Sequence, residues 1–321
     1  MGQAKNIGMI GLGYWGNNVL RNLNELGVLL VACDRDAGLI ETRKKEYPQV
    51  GFTTSPDEVI QDPAVSAVVI SAPAVTHYEL AKQAILAGKD VFVEKPLSLT
   101  VAQGEEIVFL AEEHKRILMV GHILQYHPAV RKLKDMIKGG ELGKIQYIYS
   151  NRLNIGKLRV EENILWSFAP HDISVILSLI NEEPVSVSCF GGSYLNAPIT
   201  DVTLTHLEFK NRVKAHVFVS WLHPFKEQKL VIVGSGAMAV FDDQKEEKLV
   251  LYPHKIDWKD GKIPVARKAE YQVVPIEKAE PLKEELKHFC SCCESRQAPL
   301  TDGREGLKVL KVLEAAEQSM L

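Results

Sequence analysis

Continuous apolar runs alternate with helix-like segments over residues 5–121, and this alternation restricts the fold more than any other feature of the chain. A run without polar alternation is typical of a strand that is covered on both faces of a sheet. The predicted strands are Asn6–Ile10, Val28–Cys33, Ala67–Ala72, Asp90–Val93 and Ile117–Val120. The predicted helices between them are Tyr14–Leu26, Asp36–Tyr47, Val75–Ala87 and Val101–Lys115. This order predicts an α/β fold with a doubly wound parallel sheet.

The pattern changes after about His122, where strand-like segments rich in Val, Ile, Thr and Tyr follow one another and a single helix, about His171–Ile180, interrupts them. These strands are Lys144–Leu153, Val185–Phe190, Val202–Phe209, Val213–Trp221 and Lys229–Val233. Strands joined by short turns indicate an antiparallel sheet in a second domain of α+β type. We therefore predict a first domain over residues 1–121 and a second over residues 122–321, with C-terminal helices in residues 281–321.

Charge and composition exclude several classes of protein. The 38 lysines and arginines against 41 aspartates and glutamates leave a net charge of −3, and no basic run is present, so nucleic acid is not an expected partner. The longest nearly apolar stretch, Ala64–Val75, is shorter than the roughly 18 residues of a membrane span, and the N-terminus lacks the pattern of a signal peptide, so no membrane association is expected. Five cysteines, an odd number, indicate reduced thiols and a cytoplasmic protein.

A glycine motif, Gly11-Leu12-Gly13-Tyr14-Trp15-Gly16, follows the first predicted strand and opens the first predicted helix. In that context glycines permit a tight turn, let the backbone approach a pyrophosphate and let the helix pack closely. Asp34 ends the second predicted strand, where a carboxylate can accept hydrogen bonds from the ribose of a dinucleotide. An acid there repels a 2′-phosphate, which favours NAD over NADP, although the neighbouring Arg35 could pair with such a phosphate.

Three further motifs complete a pattern that spans the chain. Ser71-Ala72-Pro73-Ala74-Val75-Thr76-His77 begins at the end of one predicted strand, Glu94-Lys95-Pro96 follows the next, and Ala169-Pro170-His171-Asp172 lies in the second half. In this order and spacing, the motifs resemble those of the glucose-fructose oxidoreductase/inositol dehydrogenase/rhizopine catabolism family. The resemblance implies an N-terminal Rossmann domain, a C-terminal domain with an open, mainly antiparallel sheet, and NAD(P)-dependent oxidation or reduction of a sugar or cyclitol hydroxyl. It also implies homodimers or homotetramers built through that sheet.

The resemblance also implies roles for single residues. Lys95 would bind the reacting oxygen and the nicotinamide ribose, and His171 would accept the proton, roles that suit an ammonium group and an imidazole. Many relatives have aspartates where this chain has Ser167 and Ser174, so Asp172 is expected to support catalysis by orienting His171 or contacting substrate, although adjacent helical side chains do not face each other. The expected cofactor-binding residues are Gly11, Gly13, Tyr14, Trp15, Gly16, Asp34, Arg35, Ser71, Ala72, Pro73, His77, Glu94, Lys95 and Pro96.

The segment Gly121–Pro128 enters the second predicted domain, and its polar side chains are expected to face the substrate. With the next strand, it resembles family members that act on nucleotide-linked sugars, including those that oxidise the 3-hydroxyl of UDP-N-acetylhexosamines or their uronic acids. The expected substrate-binding residues are His122, Gln125, Tyr126, Asn151 and Arg152. Arg152, Lys157 and Arg159 could meet a diphosphate or a carboxylate, and could equally form a solvated charged turn.

Three functions fit these residues. The first is an NAD(P)-dependent oxidoreductase acting on a secondary hydroxyl, or the matching ketone, of a nucleotide sugar. The second is a free-sugar or inositol dehydrogenase, and the third is a regulator that senses the dinucleotide without turning it over, which the intact Lys95 and His171 disfavour. No metal is expected, because the thiols of His288–Cys293 lie in a predicted helix and lack the paired Cys-x-x-Cys spacing of zinc sites.

Overall fold

The computed structural model describes residues 6–156, 158 and 162–320. Their contacts divide the chain into two compact units. The first unit contains the described residues up to Tyr126 together with Glu280–Leu310, and the second contains His127–Ala279 together with the described residues from Lys311 onward. Within the part of the chain that is described, no helix is both long enough and apolar enough to cross a membrane.

The first unit is built on a six-stranded parallel sheet. Its strands are β1 (Ile7–Ile10), β2 (Leu29–Cys33), β3 (Gly51–Thr53), β4 (Ala67–Ile70), β5 (Asp90–Glu94) and β6 (Leu118–Gly121). They lie in the order β3-β2-β1-β4-β5-β6, so the direction of winding reverses between β1 and β4, where open α/β sheets bind ligands. The connecting helices are α1 (Gly16–Glu25), α2 (Ala37–Glu46), α3 (Pro56–Gln61), α4 (His77–Leu86) and α5 (Val101–Glu113). The predicted doubly wound parallel sheet is confirmed.

Apolar side chains cover this sheet on both faces, which explains the continuous apolar runs of its strands. Every residue of β1, β4 and β5 is buried. Met9 and Phe92 belong to the apolar cluster on one face, and Ile10 and Val93 belong to the cluster on the other. Because each fully buried side chain of this size contributes about 1.5–3 kcal/mol, the two layers hold the carboxyl ends of the strands in fixed positions.

The second unit contains a mainly antiparallel, eight-stranded sheet and the helices α6 (Pro128–Lys138) and α7 (Ile164–Ile180). Its strands are β7 (Ile145–Leu153), β8 (Ser186–Gly192), β9 (Val202–Glu208), β10 (Lys214–Ser220), β11 (Glu227–Gly234), β12 (Met238–Asp242), β13 (Leu249–Tyr252), β14 (Lys255–Lys259), β15 (Ile263–Arg267) and β16 (Gln272–Val273). The order of the larger sheet is β16-β13-β12-β11-β7-β10-β9-β8, while β14 pairs with β15 separately. Its neighbouring strands are antiparallel except β7 and β10, which run parallel. The predicted sheet type is confirmed.

The chain ends with helices α8 (Pro281–Ser295) and α9 (Gly303–Met320). The sequence predicts that residues 281–321 belong to the second domain, but α8 groups with the first unit. The physical reason is its apolar face: the Phe289 ring meets the Phe92 ring edge-on at 5.8 Å, and Leu286 joins the same apolar cluster. Helix α9 belongs to the first unit up to Leu310 and to the second from Lys311.

Helix α7 begins earlier than the sequence predicts. The predicted start is about His171, but the helix begins at Ile164, after Asn163, whose side chain accepts a hydrogen bond from the Trp166 amide at 3.2 Å. Such a side-chain cap satisfies one of the free amides of a first helical turn. The helix accommodates Pro170 in its interior, so His171 lies within it rather than at its start. The sequence prediction omits helix α6, which has Pro128 in its first turn, and it also omits β3, α3 and the strands β12–β16.

The five cysteines are all free thiols. Cys33, Cys189, Cys290 and Cys292 are buried, and Cys293 is half-buried. The last three of the chain lie in α8, the helix predicted for them.

Candidate active site

The glycine motif forms the turn between β1 and α1. Gly11 has a φ of +101°, and a Cβ built on it would lie 2.5 Å from the carbonyl oxygen of Ser71. A Cβ on Gly16 would lie 2.2 Å from the carbonyl oxygen of Gly11. Backbone atoms of the protein therefore exclude side chains at both positions. A Cβ on Gly13 would meet nothing within 4 Å, so this glycine leaves the space beside the turn open for a ligand.

The N-terminus of α1 adjoins this turn and suits an anion. The helix begins at Gly16 without a side-chain cap and has no acidic residue in its first turn. The first amides of a helix lack intrahelical acceptors, and the helix dipole favours negative charge near them. The side chains of Tyr14 and Trp15 on the turn are exposed. This arrangement fits the diphosphate of a dinucleotide.

Asp34 follows β2 and connects that strand to the glycine turn. Its Oδ2 atom accepts a hydrogen bond from the Leu12 amide at 2.7 Å, and its Oδ1 atom accepts one from the Asp36 amide at 3.0 Å. The carboxylate is half-buried, and each oxygen keeps a further lone pair for a ribose hydroxyl. Arg35, the neighbouring cation, is exposed.

The turn after β4 contains Ser71, Ala72 and Pro73, and His77 fixes it from the start of α4. The His77 ring is buried, with Nε2 2.9 Å from the Ala72 carbonyl oxygen and Nδ1 2.7 Å from the Pro96 carbonyl oxygen. The ring therefore links the turn after β4 to the turn after β5. The sequence predicts cofactor binding by His77, and the structure gives its ring a role in positioning these two turns.

The Glu94–Pro96 motif begins at the end of β5. The buried Glu94 accepts a hydrogen bond at 2.6 Å from Nε1 of Trp15. Burial raises the pKa of Glu94, and the Trp15 bond and the Lys95 charge oppose that rise. Lys95 follows and is half-buried. The Trp15 bond thus ties the lysine-bearing turn to the glycine turn.

Together these turns fit a dinucleotide along the carboxyl edge of the parallel sheet. The open space beside Gly13 and the first amides of α1 would hold the diphosphate, and Asp34 would hold the adenosine ribose. The turn after β5 would then place Lys95 toward the other end of the cofactor. The donors, the open glycine and the carboxylate occur in the order in which a Rossmann sheet presents them.

In the second unit, His171 lies within α7 and is half-buried. The adjacent Asp172 is buried and turns toward β7, where Arg152 donates from Nε to Oδ2 at 2.6 Å and from Nη2 to Oδ1 at 3.2 Å. Ser150 donates a further hydrogen bond to Oδ1 at 2.6 Å. The sequence predicts catalytic support from Asp172 and a substrate contact for Arg152. The structure pairs these two buried groups with each other, because neither charge could be buried alone, and the two site roles stay predictions.

The predicted substrate side chains of the segment after β6 turn inward. His122 is 2% exposed, and its Nδ1 atom lies 2.5 Å from Oε2 of Glu305 in α9. Tyr126 is fully buried, with its hydroxyl 3.3 Å from Oγ1 of Thr301. Gln125 is buried as well. The sequence pattern does not reveal this burial, and substrate contact by these three residues stays a prediction.

The remaining predicted substrate residues lie on or after β7. Asn151 is half-buried and donates a hydrogen bond from Nδ2 to Oε1 of Glu227 at 2.7 Å. Lys157 and Arg159 lie outside the described residues.

Sequence reasoning missed two acids, the half-buried Glu305 and the buried Glu285. Glu305 contacts His122, and Glu285 in α8 is 0% exposed. The spacing of Glu285 was a usable signal, because it lies three residues after Leu282 and four before Phe289, on the apolar face of its helix.

Comparison with known proteins identifies the family. Residues 5–122 match the family model described as oxidoreductase family, NAD-binding Rossmann fold, and residues 130–240 match the model of the GFO/IDH/MocA C-terminal domain. The chain is 26% identical to myo-inositol 2-dehydrogenase of Thermotoga maritima over 98% of this chain and 96% of the relative. It is 24% identical to UDP-N-acetylglucosamine 3-dehydrogenase of Acidithiobacillus ferrooxidans over 94% and 93%.

A solved structure of the Acidithiobacillus ferrooxidans enzyme has the same fold. Its TM-score is 0.86 at 23% identity, and the match covers 98% of this chain and 96% of that one. The two family models, the full-length relatives and the shared fold agree with the motifs at the carboxyl edge of the sheet. The chain belongs to the GFO/IDH/MocA family of oxidoreductases, and its first unit is the NAD-binding Rossmann domain of that family.

Proposed function

We propose that this protein transfers a hydride between NAD(P) and a secondary hydroxyl, or the matching ketone, of a sugar, with a nucleotide-linked sugar as the first candidate. The observation that carries the proposal is the 2.6 Å bond between Trp15 and Glu94. This bond joins the phosphate-binding turn to the turn that bears Lys95. It supports a role for Lys95 beside the reactive end of the cofactor.

The chemistry assigns complementary roles to two residues. When bound, NAD(P) would supply the hydride acceptor for oxidation of the carbinol carbon and the hydride donor for reduction of the ketone. The Lys95 ammonium would hydrogen-bond the reacting oxygen and stabilise its developing negative charge. His171, as a neutral imidazole, would accept the hydroxyl proton, and in the reverse direction the imidazolium would return it.

Two substrate classes have support. The similarity to UDP-N-acetylglucosamine 3-dehydrogenase over most of both chains favours a nucleotide sugar. The similarity to myo-inositol 2-dehydrogenase favours a free cyclitol, and the inward orientation of His122, Gln125 and Tyr126 removes part of the reasoning for a nucleotide-linked substrate. A screen of nicotinamide absorbance with UDP-N-acetylglucosamine, its uronic acid, glucose and myo-inositol separates the classes. No turnover with any of them, despite cofactor binding, would favour a dinucleotide-sensing regulator.

The proposed catalytic roles predict that Lys95→Ala and His171→Ala each lower kcat by about 10²–10⁴-fold while NADH affinity changes little. Steady-state kinetics and nucleotide fluorescence measure the two quantities. Lys45→Ala and His114→Ala, at exposed positions, serve as matched controls and should keep normal turnover. Near-normal kcat in either active-site variant would remove that residue from the mechanism.

Self-association and location complete the proposal. We propose that the protein forms a homodimer or homotetramer through the face of the second unit's sheet that lies opposite α7. Tyr149, Phe218 and Phe190 belong to that face, and Phe190 is 71% exposed. The free thiols support action in the cytoplasm.

A further inference from the structure

Glu285 is a fully buried acid that the proposed chemistry does not use. It lies on the apolar face of α8, is 0% exposed, and neither of its carboxyl oxygens has a hydrogen-bond partner among the described residues. Buried carboxyl groups are normally hydrogen-bonded, and an unsatisfied one is costly to stability. Its retention in the core of a cofactor-binding unit calls for a physical explanation.

The surroundings of Glu285 make it the neutral member of an acid pair. Burial raises its pKa well above the ordinary value, and the neighbouring Glu94 and Glu305 carboxylates raise it further. Glu305 is itself bonded to His122. No cation or donor offsets these effects at Glu285 among the groups that the structure describes around it.

Glu94 is also buried, and burial raises its pKa too, but unlike Glu285 it has hydrogen-bond donors and positive charges around it that oppose the rise. The Trp15 indole donates a hydrogen bond to its carboxylate, the Lys95 amide donates another, and the charges of Lys95 and His122 favour its ionised form. When two neighbouring acids differ in this way, the proton resides on the one without donors and the negative charge on the one with them. The pair therefore carries one proton, on Glu285, and one charge, on Glu94.

We propose that Glu285 is a positioning residue of the cofactor site, which acts by holding this proton so that Glu94 keeps its charge for the bond to Trp15 of the glycine turn. A charge-assisted bond from an indole to a carboxylate is stronger than a bond to a neutral acid. Ionisation of Glu285 as pH rises would place a second negative charge beside Glu94, weaken the Trp15 bond and loosen the turn that would bind the diphosphate. The inference deepens the cofactor-binding role and is independent of the substrate.

The test is NADH affinity as a function of pH, measured by nucleotide fluorescence on the full-length protein. From about pH 6 to about pH 9, affinity of the unmodified protein should fall by about fivefold more than affinity of Glu285→Gln, which cannot ionise. Glu285→Met, apolar and of similar length, should behave like the glutamine variant. Glu284→Gln is the matched control, because Glu284 is the adjacent, partly exposed residue paired with Lys287, and its profile should follow that of the unmodified protein.

Two further measurements test whether the pH effect comes from Glu285 acting on Glu94. In a Glu94→Gln background, Glu285→Gln should cause no additional change in the pH profile, because the charge it protects is gone. Thermal unfolding gives a second test. Because the pKa of Glu285 is raised in the folded state, the protonated Glu285 contributes its full stability below the ordinary carboxyl pKa, and this contribution is lost as pH rises. The Tm of Glu285→Gln relative to that of the unmodified protein should therefore increase with pH. Parallel affinity profiles, or a Tm difference that does not vary with pH, would overturn the proposal. Because no sugar is present, neither result depends on the proposed substrate.

Discussion

At the scale of the single residue, Asp34 connects two functions of the cofactor site. Its carboxylate holds the Leu12 amide of the glycine turn and stands where the adenosine ribose would bind. A change at this residue therefore acts on the turn and on the choice between NAD and NADP together. The exposed Arg35 is the cation available to a 2′-phosphate when the acid is removed.

We expect Asp34→Ser to raise the ratio of kcat/KM with NADP to kcat/KM with NAD by about tenfold or more. The reason is that repulsion between a carboxylate and a phosphate about 4 Å away costs about 1–4 kcal/mol at a protein surface. Activity with NAD should fall as well, because the Leu12 amide loses its acceptor. Glu41→Gln, an exposed change on α2, is the control. An unchanged ratio would contradict the assigned role of Asp34 in discriminating between the cofactors.

Single residues also show which features of the site could be predicted from the sequence. The positions of Gly11, Asp34 and Glu94 could be predicted because each lies at or just after the carboxyl end of a strand, and these ends share one edge of a parallel sheet. The burial of Tyr126 could not be predicted, because it depends on Thr301 and on α8, which are distant in sequence. The pairing of Asp172 with Arg152 could not be predicted either, because it forms between a strand and a helix, and local sequence spacing does not encode that contact.

At the scale of the element, the pair formed by Arg152 and Asp172 fixes α7 on β7. Asp172 also accepts a hydrogen bond from the Ser150 hydroxyl, so α7 is held against β7 at the helical turn that contains His171. The orientation of the histidine would then depend on a contact made by its neighbour in the sequence. The start of α7 could not be predicted, because a proline normally begins a helix, whereas Pro170 lies inside this one.

Breaking this pair should destabilise the protein strongly. We expect Arg152→Ala to lower the free energy of unfolding by roughly 3–5 kcal/mol, because it leaves the Asp172 charge buried without a partner. The double change Arg152→Met with Asp172→Leu should recover much of that loss, since it removes both charges. Lys44→Ala, which breaks an exposed pair with Glu41, should cost less than about 1 kcal/mol. Chemical denaturation measures all three variants, and equal losses for Arg152→Ala and Lys44→Ala would contradict this explanation.

At the scale of the whole molecule, the chain forms two units, one with a parallel sheet and one with a mainly antiparallel sheet. Helix α9 belongs partly to each unit. The sequence predicted both sheet types because continuous runs and β-branched runs differ in pattern. It did not assign α8 to the first unit, because helical periodicity shows that a helix has an apolar face but not which sheet that face covers.

The sheet of the second unit carries the prediction for assembly. Phe190, Leu204 and Phe218 are cross-strand neighbours on the face opposite α7. If this face joins copies of the chain, Phe190→Asp should weaken association by about tenfold or more, because a buried aromatic anchor is replaced by a charge. Phe109→Asp, at an exposed position of α5, is the control. Sedimentation velocity gives the mass, and an unaltered oligomer for Phe190→Asp would place the interface elsewhere.

The cysteines give the protein a built-in reporter of unfolding. Burial raises the pKa of every one of these thiols, to about 12 for Cys33 and to about 11 for Cys290. Alkylating reagents react with the thiolate, so the thiols of the native chain should react slowly. Each opening event should expose a cysteine that ionises more readily and therefore reacts faster. Since Cys189 belongs to one unit and Cys33 to the other, peptide-resolved alkylation rates would time the opening of each half separately, without any introduced label.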